Sequence, residues 1–228
     1  SQLPHFRSRL GRAILHPRVP PLIMFPFSVI LLAGGFGTRL RSLHPGVPKP
    51  MIPIGGKPFL EWTLRYWEQQ GASHAVLSLG HLAHVAQDYF LHRPTGDLRI
   101  DTVVETEPLG TGGAVRYAAQ FASDTLSDPF FVANGDSLVA TDLQPAIDML
   151  LQGAEGVVLG VAVSDAARYG TLVIDGRDRL IGFGEKQPGA GVINAGVYLF
   201  RRNLLERFPP QKPLSMELDV FPNLLATG

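Results

Sequence analysis

The stretch LAGGFGTRLRS, residues 32–42, follows the apolar run FSVIL and crowds glycines and arginines together. Gly34, Gly35 and Gly37 would let backbone N–H groups approach a phosphate with no Cβ in the way. Arg39 and Arg41 come next, and Lys49 follows within PGVPKP. Arginine grips phosphate through a two-pronged fork, and lysine acts on it as a point charge. Glycine with fixed cations is therefore the chemistry of a polyphosphate site. The other reading is a tight strand-to-helix turn with solvated arginines. Two standard phosphate loops do not fit. Gly35 and Gly37 supply G-x-G, but Leu40 stands at the third glycine of the dinucleotide fingerprint. GGK at residues 55–57 is followed by Pro58, where a P-loop needs Ser or Thr.

These residues need a scaffold, and the chain alternates strand-like and helix-like stretches. Strands are expected at 28–33, 74–80, 98–105 and 129–136, and helices at 59–71, 81–91, 111–121 and 143–152. This βαβ alternation predicts an α/β fold: a Rossmann-like, mixed but mainly parallel sheet with helices on both faces. Such sheets bind ligands at the carboxyl ends of their strands. After Gly156 the runs GVVLGVAV, GTLVID, LIGFGEK and GVINAGVYLF read as short strands with few helices between, a small β-rich, antiparallel extension.

Composition narrows the function classes. The chain has 228 residues, 45% of them hydrophobic, and a formal net charge of zero. That supports a substantial core and gives no electrostatic reason to expect nucleic acid or an anionic membrane as partner. No apolar run approaches the ~20 residues of a membrane span. Cysteine is absent, which excludes disulfides and thiolate metal sites and suits a reducing cytoplasm. Residues 1–26 carry four arginines, five prolines and no acid, and read as a leader or tag-like segment outside the fold. Subtracting those arginines leaves a mildly acidic remainder, 16 basic against 20 acidic residues. His81 and His84, three apart on the second expected helix, have no evident third ligand and read as a solvated face. Trp62 and Trp67 fit core or interface positions.

The longer string LAGGFGTRLRSLHPGVPKPMIPIGGKPFLEW resembles the signature of the sugar-1-phosphate nucleotidyltransferases. EPLGTGGA (107–114), NGD (134–136), RYG (168–170), FGEK (183–186) and INAGVYLF (193–200) follow in that family's order. Within it, FGTRLRS with EPLGTGGA is most similar to the D-glycero-α-D-manno-heptose 1-phosphate guanylyltransferases, and next to the mannose-1-phosphate guanylyltransferases. The resemblance implies a fold of the nucleotide-diphospho-sugar transferase type. One domain would span 27–228, with a nucleotide-binding half at 27–155, a sugar-binding half at 156–228 and a C-terminal end cut short. The implied reaction moves GMP from GTP to a sugar 1-phosphate, giving GDP-sugar and pyrophosphate. Other classes remain open: a different NDP-sugar pyrophosphorylase, a non-catalytic sugar-nucleotide-binding subunit and, more distantly, a dehydrogenase. A homo-oligomer is compatible with all of them.

Roles follow from the matched motifs. Leu32, Ala33, Gly34, Gly35, Gly37 and Thr38 would line the triphosphate. Arg39 would clamp the β- and γ-phosphates, and Lys49 would reach the reacting phosphates; Arg41 could equally face solvent. Asp136 would hold Mg²⁺, although an Asp after Gly also serves as a turn or cap residue. The family's second metal carboxylate, in a segment near the C-terminus, has no counterpart here, and Asp219 lacks its context. Guanine presents two adjacent donors that one carboxylate can accept, so Glu105 or Glu107 could select it. Gly110 and Gly112 would bring backbone close to the base. Lys186 would pair with the sugar phosphate, with Gly170, Glu185, Asn194, Gly196 and Glu217 around the sugar; for Glu217 a plain helix start is the alternative.

Overall fold

The computed structural model describes residues 26–35, 44–93, 96–184 and 188–227. The first strand, β1 (Phe27–Ala33), is all but continuously apolar because it is covered on both faces. A one-turn 3-10 helix, Lys49–Met51, and the small hairpin β2 (Pro53–Ile54) and β3 (Lys57–Pro58) lead into α1 (Phe59–Gln69). Then come β4 (Ala72–Leu79), α2 (Ala83–Leu91), β5 (Arg99–Val104), α3 (Gly110–Phe121), β6 (Phe130–Asn134) and α4 (Gln144–Leu151). The second half carries β7 (Gly156–Val163), β8 (Thr171–Ile174), β9 (Leu180–Gly184), β10 (Gly191–Phe200) and α5 (Phe221–Ala226).

The main sheet runs β5-β4-β1-β6-β10-β8-β9, with β7 also paired to β10. The first four strands in that order are mutually parallel. β10 runs antiparallel to β6, β7 and β8, as the expected antiparallel extension requires. β10 therefore joins the two halves of the chain in one sheet.

Two apolar layers hold the helices on. Val29, Leu31, Leu64, Trp67, Phe131 and Ile147 fill the face under α1, α2 and α4. Ile30, Val115, Ala118, Tyr198, Phe200 and Phe221 fill the face under α3 and α5. Neighbouring residues of β1 point into opposite layers, as the two-residue period demands. Each large side chain so buried contributes about 1.5–3 kcal/mol. Trp67 is part of an aromatic cluster with Phe27 and Phe131, at 6.2 and 5.2 Å between ring centroids. Trp62 instead is partly exposed and donates its indole N–H to the Ile54 carbonyl at 2.8 Å.

The second helix starts later than its sequence pattern suggests. Leu82 takes a left-handed conformation (φ 59°), so the helical turn begins at Ala83 and His81 lies outside it. His81 and His84 consequently do not share a helix face.

Glu61 on α1 is buried yet charged. Its carboxylate accepts from Lys57 Nζ (2.6 Å), Arg65 Nε (2.9 Å) and the Tyr89 hydroxyl (2.6 Å), tying β3 and α1 to α2. Burial pushes its pKa up, but the bonds from Lys57, Tyr89 and Arg65 outweigh this and hold it at about 2, against an ordinary 4.5. The ionised form thus stabilises the fold above the ordinary value, and that stabilisation is lost as pH falls from there towards the folded value. Glu61→Gln is expected to lower unfolding free energy at pH 7 by about 2 kcal/mol. In urea titrations the gap between variant and parent should close between pH 4.5 and pH 2; a gap unchanged over that window would refute the assignment.

Candidate active site

Four parallel strands bring their carboxyl ends to one opening. Leu32 of β1 stands level with Ser78 of β4 and Asn134 of β6, and Leu79 is level with Val104 of β5. The opening is a cavity of ≈ 980 Å³. Leu32 and Ala33 of β1 and the next residues, Gly34 and Gly35, line it, with Lys49, Glu105, Glu107, Gly110, Asn134 and Asp136 from the following segments.

Close backbone packing shapes its floor. A Cβ on Gly80 would sit 2.6 Å from the Gly34 carbonyl oxygen, and one on Gly34 would sit 2.7 Å from Glu105 Oε1. The Gly135 N–H donates to the Leu32 carbonyl at 2.8 Å, which prolongs the β1–β6 pairing by one step and leaves Asp136 at the rim. Asp136 Oδ2 meets Lys49 Nζ at 2.6 Å, with both side chains partly exposed, and Ser137 Oγ donates to Oδ1 at 3.2 Å. Lys49 is delivered by its 3-10 turn, whose neighbours Pro50 and Met51 are buried.

The two glutamates of ETEPLGTGG have different surroundings. Glu105 Oε1 accepts from Ser78 Oγ (3.0 Å), and Oε2 accepts from the Leu109 N–H (3.2 Å). Its carboxylate braces β4, β5 and the turn into α3. Glu107 is exposed at the cavity wall, and its carboxylate makes no hydrogen bond among the described residues.

Gly112 does not line the cavity. Its N–H and that of Gly113 donate to the Leu214 carbonyl, at 2.7 and 3.1 Å, so a backbone oxygen from the second half caps the start of α3. A Cβ on Gly112 would lie 2.8 Å from Val220 Cγ2. Gly110 does line the cavity, but its positive φ of 73° and a distance of 2.5 Å from a Cβ there to the Leu214 oxygen show that it, too, is glycine for packing.

Beside Asn134 the sheet changes character. β10 loses its regular register between Asn194 and Tyr198, and Gly196 there has φ 68°. A Cβ on Gly196 would collide with the Asn134 amide. Asn194 Oδ1 accepts the Gly196 N–H at 2.9 Å, while its Nδ2 donates to the Tyr198 hydroxyl (2.9 Å) and to Glu217 Oε1 (2.8 Å). Burial pushes the Tyr198 phenol up to about 12, with the Asn194 bond opposing the rise and the Glu217 charge adding to it. Asn194 therefore spends both amide hydrogens inside the protein and serves to hold Glu217. Glu217 itself is exposed in the first turn of a π-helical segment, Met216–Val220, that Ser215 caps and that runs on into α5, so the helix-start alternative also describes its position. Asp219 is used in that turn, where its Oδ2 accepts the Ser215 N–H at 2.7 Å.

Gly170 stands at the head of β8, with Gly184 as its neighbour across the hairpin, and does not line the cavity. Gly37, Thr38, Arg39, Arg41, Glu185 and Lys186 lie outside the described residues. Sequence reasoning misses Asn134, Thr111 and His81, which line the cavity, and Ser78, which holds Glu105. For Ser78 and Thr111 no local signal exists, because their partners are about 27 and 105 residues away in sequence. Asn134 was within reach, as the residue before a Gly-Asp pair at a strand end.

Asp136, at the strand-end rim of a polar opening, suits Mg²⁺, which takes few protein ligands and completes its shell with phosphate oxygens and water. No group of three His, Asp or Glu residues able to enclose a metal occurs among the described residues. No helix among them is long and apolar enough to cross a membrane.

Comparison with known proteins agrees with this architecture. The chain is 38% identical over 202 residues to a mannose-1-phosphate guanylyltransferase of Mycobacterium tuberculosis, covering 87% of this chain and 55% of the relative. It is 35% identical over 189 residues to a D-glycero-α-D-manno-heptose 1-phosphate guanylyltransferase of Campylobacter jejuni, covering 82% of each. The chain thus spans about half the length of the first relative and most of the second. The crystal structure of HddC from Yersinia pseudotuberculosis complexed with GMP-PN superposes with a TM-score of 0.75 at 37% identity, over 86% of this chain and 85% of that one. The family model described as nucleotidyl transferase matches residues 28–228, and the chain belongs to that family.

Proposed function

We propose that this protein transfers GMP from GTP to a sugar 1-phosphate, with D-glycero-α-D-manno-heptose 1-phosphate as the preferred acceptor. The observation that carries this reading is the contact of Asn134 with Gly196. It sets the strand-end cavity, with its glycines, lysine and acid, directly against the polar break of β10 that holds Glu217. Two anionic substrates laid in these neighbouring subsites would meet near Asp136 and Lys49. The heptose and mannose relatives and the GMP-PN complex of HddC support the guanine and sugar assignments.

The chemistry asks little of the protein beyond placement. An oxygen of the sugar phosphate attacks the α-phosphorus of GTP, a new P–O bond forms, and the bond to the β-phosphate oxygen breaks. Pyrophosphate leaves with that electron pair. The attacking phosphate is already doubly ionised near pH 7, since its second pKa is ~6, so no general base is required. Catalysis then rests on alignment and charge neutralisation. Gly34 and Gly35 admit the triphosphate against bare backbone, and Lys49 turns from Asp136 to the reacting phosphates. Arg39 clamps the leaving pyrophosphate, Lys186 receives the sugar phosphate, and Glu185 takes the sugar hydroxyls. Asp136 would hold Mg²⁺, which supplies positive charge beside the phosphates. Glu107, whose carboxylate makes no hydrogen bond among the described residues, reads the two guanine donors, while Glu105 braces the floor. Both substrates are charged metabolites of the cytoplasm, which is where the reaction would run.

Pyrophosphate release from GTP with heptose 1-phosphate should depend on Mg²⁺ and stop on chelation. Asp136→Ala is expected to lower kcat/KM roughly a thousand-fold, and Lys49→Met roughly a hundred-fold. If UTP, CTP or dTTP with another sugar phosphate turns over while GTP does not, the substrate reading fails. Nucleotide binding without any turnover would instead mark a sensor subunit.

Base selection separates the two glutamates. Inosine triphosphate lacks the exocyclic amine of guanine, so Glu107→Gln should cut the preference for GTP over ITP about ten-fold. Glu105→Gln should lower thermal stability and leave that preference within about two-fold. The reverse pattern would assign guanine to Glu105.

A further inference from the structure

Glu217 reaches the sugar side on a turn that is moored to the nucleotide side. The Leu214 N–H donates to the Leu109 carbonyl at 2.8 Å, and the Leu214 carbonyl in turn accepts from Gly112 and Gly113. One side chain adds to this backbone clasp. Thr111, in the first turn of α3, accepts the Met216 N–H on Oγ1 at 2.9 Å, and Thr111 also lines the cavity. Met216 is 1% exposed, so its N–H has no water to turn to. The turn beyond it is stiff: Ser215 Oγ accepts the Leu218 N–H at 3.2 Å while Asp219 accepts the Ser215 N–H. A shift at Met216 is therefore carried to Glu217, the next residue.

The geometry points to Thr111 as a positioning residue: by accepting the Met216 N–H it ties the turn that meets the nucleotide to the turn that carries Glu217. Sugar 1-phosphate binding then depends on the geometry of the nucleotide half. This rests on the two-substrate reading of the site given above. Thr111 acts through Glu217 and Asn194, and its hydroxyl does not touch the reacting atoms.

Thr111→Val keeps the shape and removes the acceptor, whereas Thr111→Ser keeps the hydroxyl. The valine variant should raise KM for sugar 1-phosphate about five-fold, with KM for GTP within about two-fold of the parent, and serine should restore it. In a Glu217→Gln background the valine substitution should add nothing further to that KM. Hydrogen exchange over residues 214–220 should accelerate in Thr111→Val and not in Thr111→Ser. An equal rise in KM for GTP would make Thr111 a direct nucleotide contact and overturn the proposal, as would full additivity with Glu217→Gln. If the parent protein turns over no pairing of nucleoside triphosphate and sugar 1-phosphate, the activity reading fails. Exchange over 214–220 then decides the tie alone: acceleration with serine rescue upholds it, and unchanged exchange in Thr111→Val refutes it.

Discussion

The parallel pairing of β1 between β4 and β6 is the constraint on which the site depends. It holds Leu32 level with both Ser78 and Asn134, so Gly34 and Gly35 after β1, the β4 end and the acid-bearing β6 end open at one height. A slip of one residue in either pairing would swap each side chain into the opposite layer and move the strand ends apart. Burial on both faces resists such a slip, since β1 fills two apolar layers at once. The carboxyl-end position of the ligand cavity follows from this layered packing.

The second half is attached by backbone contacts as well as by apolar packing. β10 closes on β6, and the Leu214 carbonyl caps α3 at the point where an unpaired helix start would otherwise attract an anion. Two N–H groups of that start are thus already satisfied, while Gly34 and Gly35, just after β1, line the cavity without side chains. Gly110 and Gly112 belong to this closure: any side chain there would push the Leu214 segment away.

Polar side chains at the seam are committed before any ligand arrives. Asn194 is satisfied by Gly196, Tyr198 and Glu217, and Glu105 by Ser78 and Leu109. Satisfied networks of this kind rigidify a site, because each member left unpaired would carry a desolvation cost. The groups at the rim, Lys49, Asp136 and Glu107, keep solvent exposure and so remain able to exchange partners for substrate.

Much of this was legible in the sequence, for a physical reason. Strand and helix periods are local, so the βαβ order, the antiparallel second half and the strand-end position of Asp136 could be read from spacing alone. The motif order likewise led to the nucleotidyl transferase family. What tertiary structure alone decided is which of several similar residues is already bonded within the protein. Glu105 and Glu107 lie two apart in one loop, yet one is drawn inward by Ser78 from another strand. Gly112 is drawn to Leu214, Asn194 to Glu217, and His81 is detached from its helix by the turn at Leu82. Each outcome hangs on a partner distant in the chain or on a backbone turn forced by packing, and local spacing carries no record of either.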